Sequence, residues 1–344
     1  MTAAAERAQD ERADTGEPLL RVRNVVQEFT SRGAGGIKSG VVQAVSDVSL
    51  DIRGGETLGV VGETGSGKST LARSILQAPR PKSGEVVFRG TDLMKLRRRE
   101  LVEARREMQL VFQDPFGSLN PRWKIAELVE EPLIGYGVKG AQTRRERVNE
   151  LLELVGLNPD TYRTRRPGEL SGGQCQRVAI ARAIALHPAL VICDEAVSSL
   201  DVLVQAQVLN LFERLRRELG LSYLFISHDL ALVKQVSDRV AVMHLGELAE
   251  MGPAEELYRR PLHPYTSALL AAIPGVSPGA GRAGGRAAPL SGEPPSPLDP
   301  PSGCRFRTRC PRAETRCAEQ RPVMREHAPG QFAACHFPLR SEVS

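Results

Sequence analysis

Hydrophobic and polar positions along the chain predict buried strands separated by helices. Four short apolar runs fit buried strands, at Thr57 to Val61, Gln109 to Gln113, Ala189 to Cys193 and Ser222 to Ser227. Helical segments lie between them, which is the pattern of a parallel sheet with helical crossovers. The sequence therefore predicts an α/β fold built on a parallel sheet.

Three further segments complete the predicted core. Residues 20–52 contain two apolar segments around a Gly-rich loop, which predicts a small antiparallel β subdomain. Residues 115–182 are predicted to be mostly helical and to interrupt the sheet. After Asp201 apolar residues recur at helical spacing, from Val204 to Leu219, and Gly220 supplies a C-terminal stop.

Composition excludes several classes of protein. The chain has 344 residues, of which 41% are hydrophobic and 25% charged, enough for one large domain with an appendage. The net charge is only +5 and the basic runs contain acids, which favours solvated helix faces over nucleic-acid binding. No run of 18 apolar residues predicts a membrane span. Residues 1–18 lack the apolar core of a signal peptide, so we expect a disordered tail, a cytoplasmic protein and six reduced cysteines.

The predicted domain organisation has two parts. A core domain is expected over residues 19–260, with its helical subdomain at about 115–182. A C-terminal extension is expected over 261–344. It contains a linker, 274–303, in which Pro and Gly make up half of the residues, and a cysteine module, 304–344.

A Gly-rich loop between a predicted strand and a predicted helix is the first candidate site. It fits G-x-x-x-x-G-K-[ST] and consists of Gly62, Glu63, Thr64, Gly65, Ser66, Gly67, Lys68 and Ser69, followed by Thr70. Such loops turn backbone N–H groups toward phosphates, the lysine reaches the β- and γ-phosphates, and the hydroxyl ligates Mg²⁺. The alternative is a Gly-rich turn with a surface lysine. We call this segment, 62–69, the phosphate loop.

A second motif argues against that alternative. Leu170-Ser171-Gly172-Gly173-Gln174 follows about a hundred residues later and is the signature of ATP-binding cassette (ABC) ATPases, which this chain resembles from about Leu20 to Pro274. The resemblance implies a P-loop ATPase core in which two cassettes pair head to tail. Ser171, Gly173 and Gln174 of each cassette then close the ATP site of the other.

Two acids end one of the predicted strands. A strand buried on both faces tolerates charge only where it emerges, so Asp194 and Glu195 are expected at the carboxyl edge of the sheet. The resemblance implies that Asp194 holds Mg²⁺ with Ser69 and Gln113, and that Glu195 is the catalytic base. Two solvated carboxylates in a loop are the alternative.

The resemblance also implies roles for four more residues. Gln113 contacts Mg²⁺ and the attacking water, His228 contacts the γ-phosphate, and Asp201 acts across the dimer. Phe29 is the candidate for stacking on adenine, with an ordinary core aromatic as the alternative. Cys175 and Ser199 depart from the residues that the family commonly has at their positions.

Three segments are similar to the ATPase subunits of oligopeptide, dipeptide and nickel importers. They are 112–121, 194–202 and Leu262-His263-Pro264-Tyr265-Thr266. The resemblance implies a peripheral protein on the cytoplasmic face of the membrane. Its partners would be permease subunits, a sister ATPase subunit or second copy and, indirectly, an external solute-binding protein, with no nucleic acid. Import of nickel or another solute, or a non-transport ABC ATPase, remains the alternative.

Four cysteines cluster in the cysteine module at Cys304, Cys310, Cys317 and Cys335. They lack the C-x2-C pairs of common zinc modules, whereas four thiolates with a following proline can hold a [4Fe–4S] cluster. The resemblance to importer subunits implies such a cluster. A zinc site and plain reduced thiols remain as alternatives, and Cys175 and Cys193 are expected to take no part.

Overall fold

The computed structural model describes residues 17–32, 38–273 and 295–339. Within them the chain forms two compact units. The first consists of 17–20, 52–56 and 88–226, and the second of 21–32, 38–51, 57–87, 227–273 and 295–339. Nearly all of the predicted tail 1–18 and residues 274–294 of the predicted linker lie outside the described residues.

The strands of the described residues are numbered in chain order. They are β1 (Leu20–Arg32), β2 (Lys38–Ile52), β3 (Thr57–Val61), β4 (Ser83–Phe88), β5 (Thr91–Asp92), β6 (Met108–Val111), β7 (Leu190–Asp194), β8 (Ser222–Ile226), β9 (Arg239–His244), β10 (Glu247–Pro253), β11 (Arg325–Ala328) and β12 (Gln331–Ala333).

The helices of the described residues lie between these strands. They are Lys68–Ile75, Arg98–Arg106, Pro115–Ser118, Ile125–Gly135, Ala141–Leu154, Pro159–Tyr162, Gly172–Ala183, Val202–Leu219, Leu230–Val236, Ala254–Arg259, Pro264–Ala271 and Thr315–Glu319, with a 3₁₀ turn at Pro167–Glu169. In the part of the chain that the structure describes, no helix is both long and apolar enough to cross a bilayer.

The first unit contains three of the four strands predicted for the parallel sheet. Strand β7 pairs in parallel with β6 on one side and with β8 on the other, and Ile192 lies opposite Leu110 and Leu224. Every residue of β7 and β8 is buried, as expected for parallel strands covered on both faces. The prediction of an α/β fold with a parallel sheet is confirmed.

The helical block of the first unit follows β6. The helix Ile125–Gly135 packs against Gly172–Ala183 and against Ala141–Leu154. Leu128, Leu151 and Val178, one from each of these helices, are buried. The predicted helical subdomain that carries the signature is thus present.

The helix Val202–Leu219 begins and ends as its sequence predicts. Asp201 Oδ1 accepts a 3.0 Å hydrogen bond from the N–H of Val204, which caps the first turn. Gly220 follows in the left-handed conformation, with φ of 65°. Val208, Leu211 and Leu215 form part of the buried face.

The second unit combines the phosphate loop with the C-terminal extension. Strand β3 pairs in parallel with β9, and β9 pairs antiparallel with β10. Strand β12 then pairs antiparallel with β10, with Glu250 opposite Ala333, and β11 pairs with β12. The cysteine module therefore extends this sheet by two strands, which the sequence did not predict.

Candidate functional site

The phosphate loop connects the fully buried strand β3 to the helix that begins at Lys68. Gly62 and Gly67 have φ of 153° and 102°. A Cβ on Gly62 would lie 2.2 Å from the Met243 carbonyl oxygen, and one on Gly67 would lie 2.1 Å from that of Ala44. Both positions therefore require glycine, which explains the motif in steric terms.

Lys68 places its positive charge within this loop. Its side chain is buried, and Nζ donates hydrogen bonds of 2.8 Å to the Gly62 carbonyl and 3.0 Å to the Glu63 carbonyl. Ser69 and Thr70 follow in the first turn of the helix Lys68–Ile75, whose N-terminus favours anions. The arrangement suits a polyphosphate.

Asp194 and Glu195 lie at the carboxyl end of β7, as predicted. Asp194 is 7% exposed, and the N–H of Glu195 donates a 3.0 Å hydrogen bond to the Ile226 carbonyl. Glu195 has φ of 51°, a left-handed conformation that a non-glycine residue adopts at a cost of about 1–3 kcal/mol. Such backbone strain is frequent at functional sites, and nothing in the sequence indicated it here.

Gln113 lies two residues beyond β6, at the same edge of the sheet as the two acids. The edge is shared because Val111 is paired in register with Cys193. The hydroxyl of Ser199 donates a 3.4 Å hydrogen bond to the Gln113 carbonyl. Ser199, seen in the sequence only as a departure from the family, therefore ties the loop after β7 to the loop after β6.

His228 lies near the phosphate loop in the second unit. The N–H of the preceding residue, Ser227, donates a 3.1 Å hydrogen bond to the carbonyl of Val60 in β3. Asp229 caps the helix Leu230–Val236 through the N–H of Leu232, at 3.1 Å. The His228 side chain is exposed at this end of β3.

The signature forms the N-terminus of the helix Gly172–Ala183. Ser171 Oγ accepts a hydrogen bond of 3.3 Å from the N–H of Gln174, and Gln174 Oε1 accepts one of 3.0 Å from the N–H of Ser171. This reciprocal capping leaves Ser171 exposed. Gly173 has no room for a side chain, because a Cβ there would lie 2.4 Å from Val204 Cγ1.

Cys175 and Phe29 differ sharply in exposure. Cys175 is fully buried, its thiol donates to the Pro167 carbonyl at 3.5 Å, and burial raises its pKa to about 11. It is therefore a protonated, inert thiol at neutral pH. Phe29, in β1, is 42% exposed and so is no core aromatic, which leaves its ring accessible to a ligand.

Asp201 lies beside an exposed apolar pair. Val202 is 79% exposed and Leu203 is 77% exposed at the start of the helix Val202–Leu219. The structure gives Asp201 a capping role within the chain. Its action across a dimer stays a prediction.

The four C-terminal cysteines line one small cavity of about 10 Å³. This is room for about one water molecule. Phe306 and Phe337 also line it, and burial raises the pKa of Cys304 to about 12 and that of Cys335 to about 11. All six cysteines are free thiols. Among the described residues, no group of three or more His, Cys, Asp or Glu side chains is placed to hold a metal ion.

The C-terminal extension also contacts the phosphate loop directly. Arg309 forms an ion pair with the Glu63 carboxylate, and the N–H of Glu63 donates a 3.0 Å hydrogen bond to the Tyr265 hydroxyl. The helix Pro264–Ala271 begins within the segment that is similar to importer subunits. The contact made by Arg309 was not predicted, because nothing in the local sequence distinguishes this arginine from its neighbours.

Two family profiles match the chain. That of the ABC transporter covers residues 45–198, and that of the oligopeptide/dipeptide transporter C-terminal region covers residues 249–317. The oligopeptide transport ATP-binding protein AppF of Bacillus subtilis (strain 168) is 48% identical over 323 residues, which are 93% of this chain and 98% of AppF.

Solved structures show the same cassette. A dimeric post-hydrolysis state of the ATP-binding cassette MJ0796, bound to ADP and phosphate, is 30% identical with a TM-score of 0.61. The match covers 68% of this chain and 98% of the MJ0796 chain. CbiO1 of Clostridium perfringens, part of an ABC transporter complex, is 26% identical with a TM-score of 0.60, over 70% of this chain and 91% of its own.

Proposed function

Because this chain belongs to the ABC transporter family and carries the C-terminal region of its oligopeptide/dipeptide branch, we propose that it hydrolyses ATP to power peptide import through a membrane permease. The observation that carries the proposal is similarity over 93% of the chain to an oligopeptide transport ATP-binding protein. Nickel or another solute is the alternative cargo, because none of the motifs named above specifies the cargo.

The proposed ATP site uses the phosphate loop and Thr70 for the phosphates. Lys68 is assigned to the β- and γ-phosphates, and Ser69, Gln113 and Asp194 to Mg²⁺. Their hydroxyl, amide and carboxylate oxygens are the donors that Mg²⁺ prefers. When bound, the ion neutralises charge on the β- and γ-phosphates. Phe29 is assigned to the adenine ring.

Glu195 is proposed as the base for hydrolysis. It takes a proton from water as the water oxygen bonds to the γ-phosphorus and the bond from that phosphorus to the β,γ-bridging oxygen breaks, which releases ADP. Gln113 orients the water and His228 contacts the γ-phosphate. Loss of a general base lowers rates by about 10²- to 10⁴-fold.

The signature is proposed to act in trans. The Ser171 hydroxyl, the Gly173 N–H and Gln174 would close the ATP site of a partner cassette, with Asp201 across the same dimer. To shift the populations of two permease states from 1:99 to 99:1 requires a difference in binding free energy of about 5.5 kcal/mol between the states. Phosphate contacts made only in the closed dimer are a plausible source of that free energy. The partner is a second copy or a sister subunit.

The same proposal places the chain in an importer assembly. It would sit peripherally on the cytoplasmic face of the membrane, bound to permease subunits and served indirectly by an external solute-binding protein, without nucleic acid. The division into an ATPase domain, 19–260, and an extension, 261–344, belongs to this proposal.

We propose a [4Fe–4S] cluster on Cys304, Cys310, Cys317 and Cys335. Four thiols around one enclosed, mostly apolar cavity are the donor set that such a cluster uses. Among the described residues no group of three or more such side chains is placed to hold a metal ion, so the thiols would have to rearrange to bind the cluster. Zinc and reduced thiols are the alternatives. The cluster would order the module and take no part in hydrolysis.

Transport in reconstituted vesicles tests the function. The chain would be assembled with the permease subunits encoded beside it and with their binding protein. We expect ATP-dependent uptake of a labelled tripeptide, no uptake with the Glu195→Gln chain, and no uptake of labelled nickel. Uptake of nickel but not of peptide would change the assigned cargo to nickel and leave the ATPase assignment in place. Transport without ATP hydrolysis would reject the function.

A further inference from the structure

Glu63, the second residue of the phosphate loop, is bound by an arginine from the far end of the chain. Arg309 Nη1 lies 2.8 Å from Oε2 of Glu63, and Nη2 lies 3.0 Å from Oε1. Both carboxylate oxygens are therefore engaged in a two-bond pair. The Arg309 side chain is 5% exposed and that of Glu63 is 23% exposed, so the pair is largely shielded from water.

The backbone of Glu63 is bound from the extension as well. Its N–H donates to the hydroxyl of Tyr265, a fully buried residue whose ring centroid lies 5.2 Å from that of Phe306. Phe306 and Arg309 both belong to the cysteine module. The extension thus holds both the side chain and the backbone of one phosphate-loop residue.

A carboxylate in a phosphate-binding loop opposes binding unless its charge is cancelled. Like charges repel most strongly where water is excluded. His244 Nδ1 lies 3.7 Å from Glu63 Oε2, but burial lowers the pKa of His244 to about 4, so this imidazole is neutral at pH 7. Lys68 Nζ donates a 3.0 Å hydrogen bond to the backbone carbonyl of Glu63. A guanidinium, by contrast, stays charged at any physiological pH.

We propose that Arg309 is a positioning residue of the ATP site, which neutralises Glu63 and holds the phosphate loop in the conformation that receives ATP. The cysteine module thereby contributes to nucleotide affinity without touching the nucleotide. Because Arg309 directly precedes Cys310, whatever orders the thiols also orders this guanidinium.

MgATP binding to the full chain, measured by calorimetry in a Glu195→Gln background that prevents turnover, tests the proposal. Arg309→Met keeps the bulk of the side chain and removes its charge. We expect its dissociation constant to rise about tenfold. The double variant Glu63→Gln/Arg309→Met should bind MgATP more tightly than Arg309→Met and within about threefold of Glu63→Gln alone, because the repelling carboxylate is gone. Raising the ionic strength from about 50 to about 500 mM should shrink the Arg309→Met effect.

Arg321→Ala is the matched control. Arg321 is also in the cysteine module, but its ion pairs are with Asp47 and Glu247, neither of which belongs to the phosphate loop. Its removal should change the dissociation constant by less than about twofold.

Three results would overturn the proposal. They are normal MgATP binding by Arg309→Met, equally weak binding by Arg309→Met and the double variant, or a loss of affinity in Arg321→Ala as large as that in Arg309→Met. Should Arg309→Met not fold, the double variant is compared with Glu63→Gln alone. Dissociation constants of these two variants that agree within about threefold support neutralisation of Glu63, and a tenfold difference between them refutes it. A parent protein that bound no MgATP would instead reject the ATPase assignment.

Discussion

Glu250 accepts a hydrogen bond from the backbone N–H of His263, with 2.8 Å between Oε2 and N. Its other oxygen accepts one of the same length from the N–H of Leu262. Glu250 is fully buried in β10, so one carboxylate anchors the start of the helix Pro264–Ala271 to the sheet. The extension is thus attached to the ATPase sheet through a titratable group.

This anchor predicts a pH-dependent stability. Burial raises the pKa of Glu250 to about 7, although the two backbone N–H groups lower it. The folded state therefore holds a proton that the unfolded state releases near its usual pKa of about 4.5. Glu250 therefore contributes about 3 kcal/mol to the free energy of unfolding. This contribution is fully present below about pH 4.5 and is lost as the pH rises to about 7.

Unfolding by urea at a series of pH values checks this expectation. The free energy of unfolding of the wild type should fall by about 3 kcal/mol more than that of Glu250→Gln between pH 4.5 and 7.5. Glutamine keeps one acceptor and cannot ionise, so the other titrating groups cancel in the comparison. Parallel pH profiles for the two proteins would show that Glu250 does not titrate in this range.

Lys68→Ala should weaken MgATP binding by at least about 100-fold. Charged hydrogen bonds contribute about 1.5–3 kcal/mol each, and the lysine is expected to make two with the phosphates. Lys95→Ala is the control, because that side chain is 80% exposed and pairs only weakly with Asp92. Equal binding by the two variants would remove Lys68 from the site.

Ser171→Arg should lower ATP turnover by at least about 100-fold while nucleotide binding by the monomer stays within about threefold. The reason is that an exposed N-cap that acts on a partner is blocked by a bulky side chain. Ser171→Ala loses the same cap and should keep substantially more activity. A rate of ATP hydrolysis that is simply proportional to protein concentration, together with no dimer of the ATP-trapped protein by light scattering, would contradict action in trans.

Anaerobically purified protein should be brown, with about four irons per chain if the site is a full cluster. Replacing any one of the four module cysteines by serine should remove the brown colour; these are Cys304, Cys310, Cys317 and Cys335. Cys175→Ala and Cys193→Ala are the controls and should keep the colour, because both thiols lie outside the module and are buried. Colourless protein with one zinc would replace the cluster by a zinc site, and metal-free protein would leave reduced thiols.

Local signals in the sequence were sufficient to predict most of the elements around the site. Strand β3 spans Thr57–Val61 as predicted, and the helix after Asp201 ends at the residue before Gly220, because capping and periodicity act over a few residues. The left-handed backbone of Glu195 and the exposure of Phe29 depend on the tertiary structure. Arg309 lies 246 residues from Glu63, a separation at which no local pattern carries information.

ATP turnover by Glu195→Gln tests the central claim most directly. The variant should hydrolyse ATP about 10²- to 10⁴-fold more slowly than the wild type and should retain ATP through gel filtration, because binding residues remain and only the base is lost. Glu213→Gln is the control and should turn over normally, because Glu213 is a half-buried residue of the helix Val202–Leu219 whose ion pairs are with Arg216 and Arg217 of the same helix. Wild-type hydrolysis by Glu195→Gln would contradict the assignment of Glu195 as the base.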